Sequence, residues 1–232
     1  MAEEGRVKIC GLCRREDVSM ADGVGADYLG AVLTAGFSRS VERNRVGGLM
    51  DGVEARPVAV LVDEDPRDAV SLATELGARV VQLHGEEAPS VAAAVAEAGP
   101  WDVWKAVRVR RPDDVGRAVE RYGTVVDGVL LEGWKEGVVG GGGIRLQEAL
   151  AHRVAAEIPS DVDFILAGGL TADTVFDAVA RFGPRVVDVS SGVERAVCRK
   201  DPEQVRRFVL EARRAWREPT DPRHQHDSGA TQ

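Results

Sequence analysis

Val7-Lys8-Ile9-Cys10-Gly11 reads as a short apolar strand that ends on a thiol, with a glycine to turn the backbone away. The same plan recurs along the chain: an apolar run, a glycine or polar residue at its carboxyl end, then a helical pattern. Further strands are expected at 27–33, 57–62, 79–84, 103–109, 128–132, 163–167 and 185–189. Most are continuous apolar runs, as in parallel strands buried on both faces. Asp65-Pro66 supplies an N-cap with proline at the first helical position, and Gly77 supplies the matching stop. Other helices are expected over 14–23, 43–52, 88–98, 115–122, 146–158 and 175–182, and from Asp201-Pro202 onward, where Val205, Phe208, Val209, Ala212 and Trp216 form a buried stripe.

Eight such units in about 210 residues predict one α/β domain, a single (β/α)8 TIM barrel over residues 1–217. An open doubly wound sheet would carry a Gly-rich nucleotide turn after its first strand, and Gly11-Leu12-Cys13 does not supply one. Residues 218–232 are polar and aperiodic, and a disordered C-terminal tail is expected there.

The net charge of -8, the pI near 5.2 and the 5% aromatic content leave no basic, aromatic-studded footprint for nucleic acid. No apolar run is long enough to span a bilayer, so no membrane partner is expected. The acidic start lacks a signal peptide's apolar core, and three cysteines do not make a disulfide framework, so a cytoplasmic protein is expected.

In such a barrel the site lies at the carboxyl ends of the strands, with phosphate commonly bound after strands seven and eight. Those ends are Gly168-Gly169 and Ser190-Ser191-Gly192, whose backbone N–H groups can approach an anion closely. Cys10 closes strand one. Glu132 closes strand six, where a carboxylate is not needed for solubility, and Asp188 stands near the end of strand eight. Arg39, after strand two, could pair with a carboxylate or phosphate. His84, after strand four, reads as a hydrogen-bonding residue. Cys10-Gly11-Leu12-Cys13 matches a redox C-x-x-C or half a zinc site, but no second pair or suitably spaced histidine completes one, so no metal is expected.

Together these residues resemble the phosphoribosylanthranilate isomerase family of the tryptophan pathway. The matching segments are Lys8-Ile-Cys-Gly-Leu, Gly25-Ala-Asp-Tyr-Leu-Gly, Ser38-Arg39-Ser-Val, Val81-Gln-Leu-His-Gly, Lys105-Ala-Val-Arg, Ile165-Leu-Ala-Gly-Gly-Leu and Val187-Asp-Val-Ser-Ser-Gly-Val-Glu. The resemblance implies a cofactor-free Amadori rearrangement of an aldosylamine to an aminodeoxyketose. It assigns Cys10 as general base, the position of Glu132 as general acid, Arg39 to the anthranilate carboxylate and Asp188 to the ribose hydroxyls, and His84 is expected beside them among the substrate-binding residues. Gly142, Gly168, Gly169, Ser191 and Gly192 form the implied phosphate set. The expected partner is a small phosphoribosyl substrate, and the chain a monomer or homodimer.

The departures fall on one side. The family's acid is an aspartate where this chain has Glu132, and the Gly140–Gly143 loop lacks the usual hydroxyl residue. A divergent paralogue acting on another phosphoribosylamine or an anthranilate-like substrate, and a non-catalytic sugar-phosphate binder, are the competing readings.

Overall fold

The computed structural model describes residues 5–110, 113–133 and 156–218. Eight parallel strands close a barrel: β1 (Arg6–Ile9), β2 (Tyr28–Val32), β3 (Arg56–Leu61), β4 (Val80–Leu83), β5 (Asp102–Val109), β6 (Gly128–Gly133), β7 (Asp163–Ala167) and β8 (Val186–Val189). The seam is β1 against β8, in a register that sets Lys8 opposite Asp188 and Ile9 opposite Val189. Six helices, α1 (Arg15–Gly23), α2 (Pro66–Leu76), α3 (Pro89–Glu97), α4 (Asp113–Tyr122), α5 (Val175–Phe182) and α6 (Pro202–Arg217), lie among the described residues. This is the (β/α)8 architecture that the sequence predicts.

Strand period organises the interior. Side chains alternate across a strand, so Tyr28, Val58, Val60, Val80, Trp104, Leu130, Ile165 and Val186 fill the barrel, while Val7, Ile9, Leu29, Leu61, Val81, Leu131 and Val187 pack outward beneath the helices. Tyr28 and Trp104 meet edge to face, with ring centroids 4.8 Å apart. Truncating a filled position such as Ile165 to Ala is expected to cost about 2–5 kcal/mol. Cys10, His84, Glu132 and Asp188 share the inward parity, each at or near the carboxyl end of its strand. That parity aims all four into the mouth.

Local signals hold where they are specific. Asp65 accepts from the Arg67 N–H, and Gly77 ends α2 in the left-handed conformation. Asp201 accepts from the Glu203 and Gln204 N–H groups and starts α6, whose Trp216 indole donates to the Pro184 carbonyl beneath the barrel.

Three expectations need correction. The helix expected over 43–52 is only a 3-10 turn, Arg43–Arg45, followed by hydrogen-bonded turns, because Gly47-Gly48 breaks it and Gly48 takes a φ of +80°. After β8 the chain forms a 3-10 turn, Ser191–Val193, and a short antiparallel hairpin that the sequence reading did not contain: β9 (Glu194–Ala196) and β10 (Arg199–Lys200). Cysteine pairing is the third: Cys13 is disulfide-bonded to Cys198, which leaves Cys10 as the free thiol. Most of the expected helix over 146–158, the glycine loop with Gly142, and the tail beyond Glu218 lie outside the described residues.

Candidate active site

The carboxyl ends of the strands enclose a cavity of about 150 Å³. Its lining includes Cys10, Arg39, His84, Glu132, Gly168, Gly169, Asp188, Ser191 and Gly192. Every candidate among the described residues therefore reaches one cavity; Gly142 lies outside them. Val32, Val60, Val62, Phe37 and Leu170 supply apolar wall.

Cys10 is held by its own backbone. Its N–H donates to Val189 at 2.8 Å, which fixes the end of β1 against β8, and Leu12 N–H donates to Gly30 on the other flank. Below it, the fully buried Lys8 ammonium donates to Asp188 Oδ1 at 2.9 Å. Burial pushes the Cys10 thiol above its ordinary value; Lys8 pulls it down and Asp188 adds to the rise.

Arg39 reaches the mouth through a second buried network. Its Nε and Nη2 face the Glu194 carboxylate at 2.9 and 2.6 Å, and this pairing raises the Arg39 guanidinium above its usual value. Lys200, buried in β10, donates to Glu194 Oε1, which also accepts from Arg39 Nε, at 2.9 Å, and to the Ser190 carbonyl at 3.0 Å. Burial alone would raise the Glu194 carboxyl, but its hydrogen bonds to Arg39 and Lys200 hold it below the usual carboxylate range. Burial lowers Lys200 despite its partner. Glu194 grips the side-on edge of the guanidinium, so the Nη1 edge is where a second carboxylate can bind, a geometry suited to arginine's planar fork. The Cys13–Cys198 sulfurs rest against the Arg39 and Ser38 carbonyls, each at 3.6 Å.

Across the mouth, Glu132 is buried with its Oε1 3.7 Å from His84 Nε2. Gln82 Nε2 lies 2.8 Å from His84 Nδ1. On the β7–β8 side, Gly168 and Gly169 both take positive φ, +95° and +68°, in a turn that residues with side chains rarely adopt.

The phosphoribosylanthranilate resemblance meets a direct test here. The family model described as N-(5'-phosphoribosyl)anthranilate (PRA) isomerase matches residues 7–211. The chain belongs to that family. A PRA isomerase of Chromohalobacter salexigens is 41% identical over 206 residues, covering 88% of this chain and 92% of that one. The crystal structure of the Thermotoga maritima PRA isomerase superposes with a TM-score of 0.80 at 29% identity, covering 90% of this chain and 98% of that one. A PRA isomerase in complex with reduced 1-(o-carboxyphenylamino)-1-deoxyribulose 5-phosphate superposes with a TM-score of 0.76 at 28% identity, covering 90% and 98%.

Lys8, Glu194, Lys200 and Gln82 were missed as site residues. Lys8 had a signal: a charge inside Val7-Lys8-Ile9 is as anomalous as the Glu132 that ends Val129-Leu130-Leu131. Glu194 closes the family-matching segment Val187–Glu194, but Lys200 had no signal, because the hairpin that brings both to Arg39 is too short to show a period.

Proposed function

We propose that this PRA isomerase family member converts N-(5'-phosphoribosyl)anthranilate to 1-(2-carboxyphenylamino)-1-deoxyribulose 5-phosphate, with Glu132 as general acid and Cys10 as general base. A proton from Glu132 to the furanose ring oxygen opens the aldosylamine to a Schiff base. Cys10, as thiolate, then takes the proton from C2, and the resulting enolamine tautomerises to the ketose. No cofactor has a step in this sequence. Arg39 receives the anthranilate carboxylate on its Nη edge, Asp188 the ribose hydroxyls, and His84 borders the acid. The phosphate lies over Gly168-Gly169 and Ser191-Gly192, with Gly142 completing the set.

The observation that carries the reading is the convergence of a buried thiol, a buried carboxylate and an arginine on one small cavity with a glycine turn at its edge. The partner is this small phosphoribosyl substrate, with neither nucleic acid nor membrane; among the described residues no helix is long and apolar enough to cross one. The enzyme works in the cytoplasm as a monomer or homodimer. A reducing cytoplasm would open Cys13–Cys198, and Glu194 and Lys200 would then hold the hairpin to Arg39.

The test is a steady-state assay with freshly generated phosphoribosylanthranilate, following loss of anthranilate fluorescence, with Cys10→Ser as the blank. Turnover far above the blank is expected. Equal rates for the two would refute Cys10 as the base.

A further inference from the structure

A thiol base in a dry pocket faces a physical conflict. It accepts a proton only as thiolate, yet burial favours the neutral thiol. The structure places one group against that tendency. Lys8 and Cys10 are two residues apart on β1, so both point into the barrel. Lys8 is wholly buried, its ammonium donates to the Asp188 carboxylate at 2.9 Å, and Asp188 and Cys10 both favour its charged form.

Gly30 on β2 makes the juxtaposition possible. A Cβ there would stand 2.9 Å from Cys10 Sγ and 3.2 Å from Lys8 Cε, so sulfur and lysine stem share the space that any larger residue would fill.

We propose that Lys8 is a positioning residue for the isomerisation: its buried ammonium offsets the effect of burial on the Cys10 sulfur and stabilises the thiolate when it forms at the cavity, while Asp188 anchors the ammonium from the neighbouring strand. The proposal rests on the reading of Cys10 as base. Other charged groups around the sulfur are Lys200 on β10, Arg39 in the loop after β2, and His84 and Glu132 across the mouth. Lys8 outranks them because it shares the strand and the Gly30 notch with the sulfur. Burial works against the Lys8 charge, but Asp188 and Cys10 outweigh it and raise the ammonium above its ordinary value, so it stays charged while the thiol titrates.

The sign of the effect separates this role from mere packing. With the Cys13–Cys198 bond formed, Cys10 is the free cysteine, so iodoacetamide reports its thiolate, and the alkylation rate against pH gives the ionisation directly. In Lys8→Met the alkylation limb should move to higher pH by one unit or more, about a tenfold slower reaction at a fixed pH below the limb. In Asp188→Asn it should move to lower pH, because an anion is removed and Lys8 is left to the sulfur. The double variant Lys8→Met/Asp188→Asn removes the unpaired buried charge that could unfold the single lysine variant. Its limb should still lie above the parent's. A limb that stays at the parent's pH in both lysine variants, or shifts the same way in all three, overturns the proposal. The pH profile of kcat/KM for Lys8→Met, read beside alkylation, tests the base assignment separately. If the alkylation limb moves and the rate limb does not, Lys8 controls the thiolate but Cys10 is not the base.

Discussion

The two sides of the mouth are built differently. On the β1–β8 side, each charged group that reaches the cavity is tied by others: Lys8 to Asp188, and Arg39 to Glu194 to Lys200, with the Cys13–Cys198 disulfide behind the arginine. On the β4–β6 side the ties are mixed, with Gln82 and His84 in contact at 2.8 Å. Glu132 and His84 approach to 3.7 Å, beyond hydrogen-bond distance, and Gln82 Oε1 has no hydrogen-bond partner among the described residues. The β1–β8 side is preorganised by buried ion pairs. On the roles proposed above, the carboxylate-binding arginine stands on the ion-paired side and the acid on the other.

This contrast can be broken at several points, beginning with the largest effect. Cys10→Ala should lower kcat by about a hundredfold or more, the usual worth of a positioned base. Its affinity for the reduced ketose product analogue, measured by calorimetry, should stay close to the parent's, because Arg39, its Glu194 partner and the glycine turn at 168–169 are untouched. Lost binding would show that Cys10 holds the cavity together rather than acting on C2.

Arg39→Ala should raise KM by about tenfold to a hundredfold with a smaller change in kcat, as expected when a charged hydrogen bond worth about 1.5–3 kcal/mol is lost. An unchanged KM would count against carboxylate recognition. Glu194→Gln should act in the same direction but less, since Arg39 keeps its charge and loses only its orientation. The Glu194 tie also has a pH sign. Its carboxyl is depressed in the folded state, so its contribution is complete above the ordinary carboxylate pKa and fades as pH falls through the lower folded value. An acid-unfolding midpoint that moves to lower pH in Glu194→Gln would contradict that sign.

Smallest for turnover is the disulfide. Cys13→Ser should lower thermal stability, because the bond closes a loop of 185 residues and such cross-links are typically worth about 2–4 kcal/mol. It should leave KM within about threefold, because a bond between Arg39 and Glu194 of this kind still orients the guanidinium. A large KM change would make the disulfide, not Glu194, the element that sets Arg39.

The barrel was legible because parallel strands buried on both faces write continuous apolar runs, and caps such as Asp65-Pro66 and Gly77 punctuate them. Cys10, Glu132 and Asp188 were legible as polar residues at the ends of such runs. The turn at 43–52 was misread as a helix because a few apolar residues mimic a helical face, while the two glycines set the backbone. The Glu194–Lys200 network and the Cys13–Cys198 pairing were not legible: they arise only when the chain after β8 folds back over the loops after β1 and β2. Distances along the sequence carry no trace of that closure.

The most direct test of the account is the turnover of Glu132→Gln with phosphoribosylanthranilate, measured beside Glu132→Asp. The account predicts that the glutamine variant, isosteric but without an acid proton, loses about a hundredfold or more in kcat, whereas the aspartate variant retains turnover. A glutamine variant that turns over at the parent's rate would contradict Glu132 as the acid.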